Sequence, residues 1–302
     1  MNMDELQLAS ILEQAREFAD EGKYLHALQL YRRVVEAVPS CDTGWMELAE
    51  VYTEMKQYDA AEKTLLEART VATDKKEITF LLGNLNLKRE RYDRALSFYR
   101  ELLEDNTTLP SKMKAHLLFH VGLVHFYRNN MKVAEEYFRS VLRLDPRFPK
   151  IHESLGELLI RRGALAEAVS VLKTAIVHDP YSWIGHYLLG VAYMRMLDWR
   201  HAYDELVTAI EMDPSEPTAW QLCGEVLIAL QQLDEAEQYL RKALELNPRS
   251  ADAIAHFGQL YFKRGDLSRA REYFERALSL DPKNAAALRG KAQLRATINQ
   301  QS

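Results

Sequence analysis

The sequence predicts an all-α chain, a solenoid of antiparallel helix pairs closed by one further helix. Three observations predict it. The 302-residue chain overlays itself at a shift of 34 residues: Ala27, Ala61, Ala95, Ala134, Ala168, Ala202, Ala236 and Ala270 follow one another at that step, with a single step of 39 between Ala95 and Ala134. Each copy carries two helical faces. In the last one, Ile254, Phe257, Gly258 and Tyr261 recur at i, i+3, i+4 and i+7, and Leu267, Ala270, Phe274, Ala277 and Leu278 form a second face after a break. The third observation is a small residue inside every first helix: Ala15, Ala49, Gly83, Gly122, Gly156, Gly190, Gly224 and Gly258. Glycine costs a helix interior about 1 kcal/mol relative to alanine, so a closely approaching helix must offset it. A fixed period of this kind marks units that bury their apolar faces only by stacking.

The breaks have local causes. Gly265 can adopt the left-handed conformation that closes a helix, as can Gly22 and Gly163, and Asp266 can cap the helix that follows. Asp281 and Pro282 stop the second helix, because proline has no amide hydrogen and biases the residue before it away from helical geometry.

The order of apolar residue, leucine, glycine, aromatic, alanine, apolar residue, alanine and proline, carried by Trp220, Gly224, Ala236, Leu240, Ala243 and Pro248 in one copy and by Phe257, Gly258, Tyr261, Ala270, Phe274, Ala277 and Pro282 in the next, resembles the tetratricopeptide repeat. The resemblance covers residues 8–282 in eight units, approximately 8–39, 42–73, 76–107, 115–146, 149–180, 183–214, 217–248 and 251–282, expected to form one array. It implies a right-handed superhelical solenoid whose first helices line a concave groove. The departures from the pattern are Gln14, Asn86 and His125 at apolar or aromatic positions, and Thr73 and Thr107 where the closing proline is expected.

In chain order, the first unit starts almost at the N-terminus. The second turns Trp45, Leu48, Ala49 and Tyr52 inward and leaves Glu47, Glu50 and Glu54 as an acidic stripe, which a charge run of this kind most often uses for solubility. The turn-rich segment 104–114, EDNTTLPSKMK, accounts for the long step between units three and four, either as a longer loop or as a continuation of the preceding helix. Units five to eight are regular, with Pro149 and Pro217 at helix starts. Residues 284–300 are expected to form a capping helix started by Asn284, with Ala285, Leu288, Ala292 and Arg295 on its stacking face.

Composition narrows the function. A net charge of −5 gives no electrostatic reason to expect nucleic acid or an anionic membrane as partner. No apolar run reaches 18 residues and the first twenty are acidic and amphipathic, which predicts a cytoplasmic chain without membrane insertion. Cys41 and Cys223 are expected to stay reduced. Neither a phosphate-cradling glycine motif nor H-E-x-x-H, paired C-x-x-C or G-x-S-x-G occurs, so neither an enzyme nor a cofactor is expected. A metal-dependent regulator or enzyme using His116 and His120, four residues apart on one helix face with His125 beyond, is the alternative from a different class.

The resemblance implies that positions about 130° around each first helix from its core face look into the groove. They are Phe80, Asn84 and Leu87 in unit three, Phe119, Leu123 and Phe126 in unit four, and Tyr187, Val191 and Met194 in unit six, with the carboxylates Glu153 and Glu157 of unit five between them. Such apolar residues on a surface mark an interaction site, unless the 104–114 segment or tighter coiling covers them. On this reading the double change Phe119→Ala and Tyr187→Ala would abolish partner binding while leaving the fold nearly intact. The family's lysine, asparagine and arginine clamp for a C-terminal carboxylate is not matched: Leu12, Arg16, Glu47, Glu77 and Leu81 stand in those places. The expectation is a protein-binding scaffold or adaptor that takes a peptide segment or partner protein, with self-assembly into a homo-oligomer, one chain filling another's groove, as the alternative.

Overall fold

The computed structural model describes residues 5–104 and 109–301, and among these it contains helices and no strand. Contacts divide the chain into two units, Met1–Phe148 and Pro149–Ser302. The first holds α1 (Glu5–Asp20), α2 (Tyr24–Ala37), α3 (Asp42–Glu54), α4 (Tyr58–Val71), α5 (Lys75–Lys88), α6 (Tyr92–Glu104), α7 (Ser111–Tyr127) and α8 (Met131–Leu144). The second holds α9 (Ile151–Arg162), α10 (Leu165–His178), α11 (Trp183–Arg195), α12 (Trp199–Met212), α13 (Pro217–Ala229), α14 (Leu233–Leu246), α15 (Ala251–Lys263), α16 (Leu267–Leu280) and α17 (Ala285–Gln301). Within each unit the odd-numbered helix of a pair packs against the even-numbered helix that follows it, and each pair packs against the next.

The small residue of each first helix is explained by its partner sixteen positions on. A Cβ at Gly83 would lie 2.2 Å from the ring of Tyr99, one at Gly122 2.6 Å from Phe138, one at Gly156 2.5 Å from Leu172, and one at Gly258 2.5 Å from Phe274. Real Cβ atoms are not found at such distances, so the two helices of a pair can close to this spacing only over a residue without bulk. Tyr99, Phe138 and Phe274 are all fully buried there.

The turn between paired helices has one geometry throughout. Gly22, Gly163 and Gly265 take positive φ, and so do Lys56, Glu90, Asn129, Leu197 and Gln231 at the equivalent positions. At Gly265 the hydrogen bonds complete the motif, with the amide of Asp266 donating to the carbonyl of Tyr261 and that of Gly265 to the carbonyl of Phe262, each at 3.0 Å. The same left-handed turn closes over side chains at a cost of about 1–2 kcal/mol for a non-glycine residue, so the geometry recurs with or without glycine.

Three local expectations hold and two change. Asp266 accepts from the amide of Arg269, Pro217 opens α13, and Asn284 caps α17 by accepting from the amide of Ala287 at 2.9 Å. Pro149 lies outside a helix, because α9 begins at Ile151 after the left-handed Lys150. In the 104–114 segment α7 begins at Ser111, so part of the extra length forms an additional turn at the start of α7, 17 residues long against 13 for α3. Residues 105–108 and Thr107 with them lie outside the described residues.

The stacking face of α17 also differs from expectation. Ala286, Ala287, Gly290 and Leu294 are buried, whereas Ala285, Leu288, Ala292 and Arg295 face outward, with Leu288 48% exposed. Lys291, Ala292 and Arg295 occupy the positions of Phe257, Gly258 and Tyr261, which in a full repeat meet that repeat's own second helix. In α17 the buried face is the one that meets the preceding repeat, and Gly290 sets this helix directly on the Phe274 ring, 2.2 Å from where a Cβ would stand.

Candidate functional site

The outward faces of the first helices of unit one split into two contrasting surfaces. On α5 and α7 the side chains are largely covered by the protein itself. Phe80 packs edge-on against His120 at 5.1 Å and beside Tyr99 at 6.1 Å. The Tyr99 hydroxyl, buried away from water, donates to Asn84 Oδ1 at 2.7 Å, so Asn84 serves as an internal acceptor. Phe119 sits among His120, Phe138 and Phe148, with ring centroids 5.1 Å apart in the last case. Phe148, from the turn after α8, is itself buried and also covers His116. Leu109, from the long segment before α7, packs on the same cluster as Phe80 and Leu87.

Phe126 is only 4% exposed and its ring lies 6.4 Å from that of Phe138, so it belongs to the core and not to a groove. The 130° position was expected to face the groove, but the Phe138 ring stands there instead. Phe119 is half-buried by its aromatic neighbours, so its truncation to alanine removes packing and is not the neutral surface change that helical phase alone implied. Leu123 remains half-exposed on α7.

His116, His120 and His125 do not converge. The Nδ1–H of His120 donates to the carbonyl of His116 at 2.7 Å, His116 turns its ring to Phe148, and His125 stacks on Tyr137 with planes 6° apart. Among the described residues no three His, Cys, Asp or Glu side chains gather around one point. Burial holds all three imidazoles below the ordinary histidine range, helped at His116 by Lys112 and at His125 by Arg128 and Arg100. The unfolded chain takes up these protons near pH ~6.5 and the folded chain only at lower pH. Their contribution is thus fully present above that pH and is lost as pH falls below it. Thermal melting should shift downward between pH 7.5 and 5.5, and His120→Leu should make that shift shallower; an equal shift in both proteins would remove His120 from the account.

The second surface is a cleft between α3 and α5 of 450 Å³. Met46, Ala49, Leu81 and Leu85 form its floor, and Glu47, Glu50, Glu54 and Glu77 stand around it. A neighbouring hollow of 400 Å³ between α1 and α3 shares Glu47, Glu50 and Glu54 and adds Arg16 and Asp20. The helix period accounts for this: Glu47, Glu50 and Glu54 lie at i, i+3 and i+7, on the side of α3 away from α4. Glu47 pairs with Arg16 at 2.6 Å through Oε1, while its Oε2 is buried without a hydrogen-bond partner. Glu54 pairs with Lys88 at 3.5 Å, whereas Glu50 and Glu77 have no basic partner among the described residues. Burial, then the Glu47 carboxylate, push the Tyr31 phenol well above its usual range. The sequence displayed this stripe but not the second helix that turns it into a cleft.

A buried ionic cluster lies between α4 and α6, and its only sequence signal was Asn86 at an aromatic position. Asn86 is fully buried; its amide donates to the carbonyl of Leu82 at 2.8 Å and to Glu62 at 3.3 Å. Glu62, 6% exposed, receives Arg89 at 3.0 Å, Arg94 at 3.2 Å and Arg91 at 3.4 Å. Removing one partner of such a pair is costly because it strands a buried charge, which gives Asn86 a structural role.

In unit two, Tyr187 is half-buried with its ring edge-on to Trp183 at 5.9 Å, and Val191 and Met194 are half-exposed further along α11. Burial, then Glu216 and Glu157, raise the Tyr187 phenol above its usual range. Glu153 accepts a hydrogen bond from Ser182, and Glu157 pairs with Arg161 at 2.7 Å. Both carboxylates are thus engaged within their own unit. Cys223 is fully buried, which raises its thiol far above the reactive range, and Cys41 is half-buried. No helix among the described residues is long and apolar enough to cross a membrane.

The comparisons with known proteins agree with this architecture. Residues 95–300 match the family model of the C-terminal domain of cilia and flagella-associated protein 70, and residues 18–78 and 54–110 match tetratricopeptide-repeat models. The chain is 25% identical over 186 residues to human tetratricopeptide repeat protein 16, covering 56% of this chain and 21% of that one. It is 23% identical over 168 residues to anaphase-promoting complex subunit CDC16 of Saccharomyces cerevisiae, covering 55% and 20%. The chain thus spans about a fifth of the length of these curated relatives. Among solved structures, PilF of Pseudomonas aeruginosa superposes with a TM-score of 0.60 at 19% identity, over 72% of this chain and 97% of that one, a likeness of fold.

Proposed function

Since the chain belongs to the tetratricopeptide-repeat proteins, and through residues 95–300 to the family of the cilia and flagella-associated protein 70 C-terminal domain, we propose that it is a non-enzymatic scaffold that binds a protein or peptide segment along the outward faces of its first helices. One observation carries this reading: on those helices Leu123, Val191 and Met194, like Phe80, Phe119 and Tyr187, stay partly exposed although the core faces of the same helices are buried. An apolar side chain held half-open on a rigid helix offers contact area without an ordering cost on the protein's side.

The test is co-purification from native extract of wild type beside a Leu123→Glu, Val191→Glu variant, with thermal melting as the control. Specific partners should be retained by the wild type and lost from the variant at an unchanged melting temperature. Equal recovery by both proteins would show that these faces do not carry the binding.

A further inference from the structure

The two ends of the chain are oppositely charged, and each has an apolar feature that the other end can fill. Helices α1 and α3 carry eight carboxylates and one arginine. Helix α17 carries Arg289, Lys291 and Arg295 and no acidic residue at all. Its outward face is the exposed stripe Ala285, Leu288, Ala292 and Arg295 with Arg289 alongside. Leu288 is 48% exposed at the middle of that stripe. The α3 and α5 cleft offers the complement: an apolar floor of Met46, Leu81 and Leu85 beneath Glu50 and Glu77, which have no basic partner among the described residues, the cleft's own Lys88 being paired with Glu54, and the buried unpartnered Oε2 of Glu47.

We propose that this cleft receives the outward face of α17 from a second copy of the chain, with Leu288 against the apolar floor and Arg289 and Arg295 facing Glu50 and Glu77. This rests on the scaffold reading above and names one occupant for one part of its surface. Charge complementarity selects the orientation. The cleft repels the acidic first helices of another copy and attracts the one terminal helix that is wholly basic. Burying Leu288 removes an apolar side chain from water at both surfaces, while the arginines supply charge-assisted hydrogen bonds to carboxylates. The contact joins different patches of the two copies, so it is heterologous and leaves a free cleft and a free α17 at the ends of each assembly.

The experiment is sedimentation velocity and light scattering of the full chain over a range of concentrations and salt. The mass should rise with concentration beyond that of one chain, and association should weaken as salt is raised. Two charge reversals test the surfaces: Arg289→Glu with Arg295→Glu, and Glu50→Lys with Glu77→Lys. All four side chains are exposed, so each double variant should melt like the wild type yet associate at least tenfold more weakly with itself, while an equimolar mixture of the two should associate again. A concentration-independent monomer mass, or association untouched by both reversals, would overturn the proposal. If the chain is monomeric but partners are still lost from the Leu123→Glu, Val191→Glu variant, the scaffold reading stands and only the self-docking falls. Loss of neither would count against both.

Discussion

Gly190→Leu and Gly224→Leu should each destabilise the second unit severely, by about 3 kcal/mol or more, at the upper end of what overpacking a core costs. The Cβ alone would stand 2.7 Å from Leu206 Cγ at the first position and 2.6 Å from Leu240 Cγ at the second, and the carbonyl oxygens of Ala202 and Ala236 lie 3.3 and 3.5 Å away. Leu206 and Leu240 are fully buried and cannot swing aside without opening the contact between paired helices. Backbone from the facing helix closes the other route. Leucine is the better helix former by nearly 1 kcal/mol, so a loss of stability must come from the helix contact and not from propensity. Circular dichroism melting reads the result directly. An unchanged or raised melting temperature would mean that these helices are not held at the spacing described.

Deleting residues 284–302 should make the chain aggregate. Removal of α17 takes away Ala287, Gly290 and Leu294 from the cluster that contains Ile254, Phe257 and Phe274. Phe274, now fully buried, is held between Gly258 and Gly290, and one side of its ring would face water. Asp252 would also lose the Asn284 amide that donates to it at 2.6 Å. A terminal repeat without a polar outer face leaves its stacking surface open, as exposed apolar patches in general invite association. Light scattering and soluble yield would report it. This association differs from self-docking through α17, because it should persist or strengthen in high salt, whereas docking between carboxylates and arginines weakens. A truncated chain that remains soluble with the melting temperature of the whole would refute the capping role.

The sequence by itself determined the repeat: its period, two helices per unit, the turn at Gly265, the proline and asparagine punctuation, and the small residue at Gly83 through Gly258. These are local or strictly periodic quantities. Backbone sterics, capping and the 3.6-residue helix operate within a few positions, and stacking identical units repeats the same contact, so a pattern read along the chain is a pattern in space. The tertiary structure decided what each non-core stripe faces. Phe80, Phe119 and Phe126 share a stripe with Leu123, but packing against the Phe138 ring buries Phe126, while Phe80 and Phe119, against Tyr99, His120 and Phe148, stay partly exposed as Leu123 does. Phe148 reaches Phe119 from a turn 29 residues further on, a contact that no helical periodicity encodes. Glu47, Glu50 and Glu54 looked like a solvated charge run until α5 supplied Leu81 and Glu77 opposite them. Helix α17 buries Ala286, Ala287, Gly290 and Leu294 against the preceding repeat and turns its expected stacking face outward, because a face is buried only where a neighbour stands. Periodicity gives the angle of a side chain about its helix; whether that direction holds protein or water depends on residues brought there by the fold.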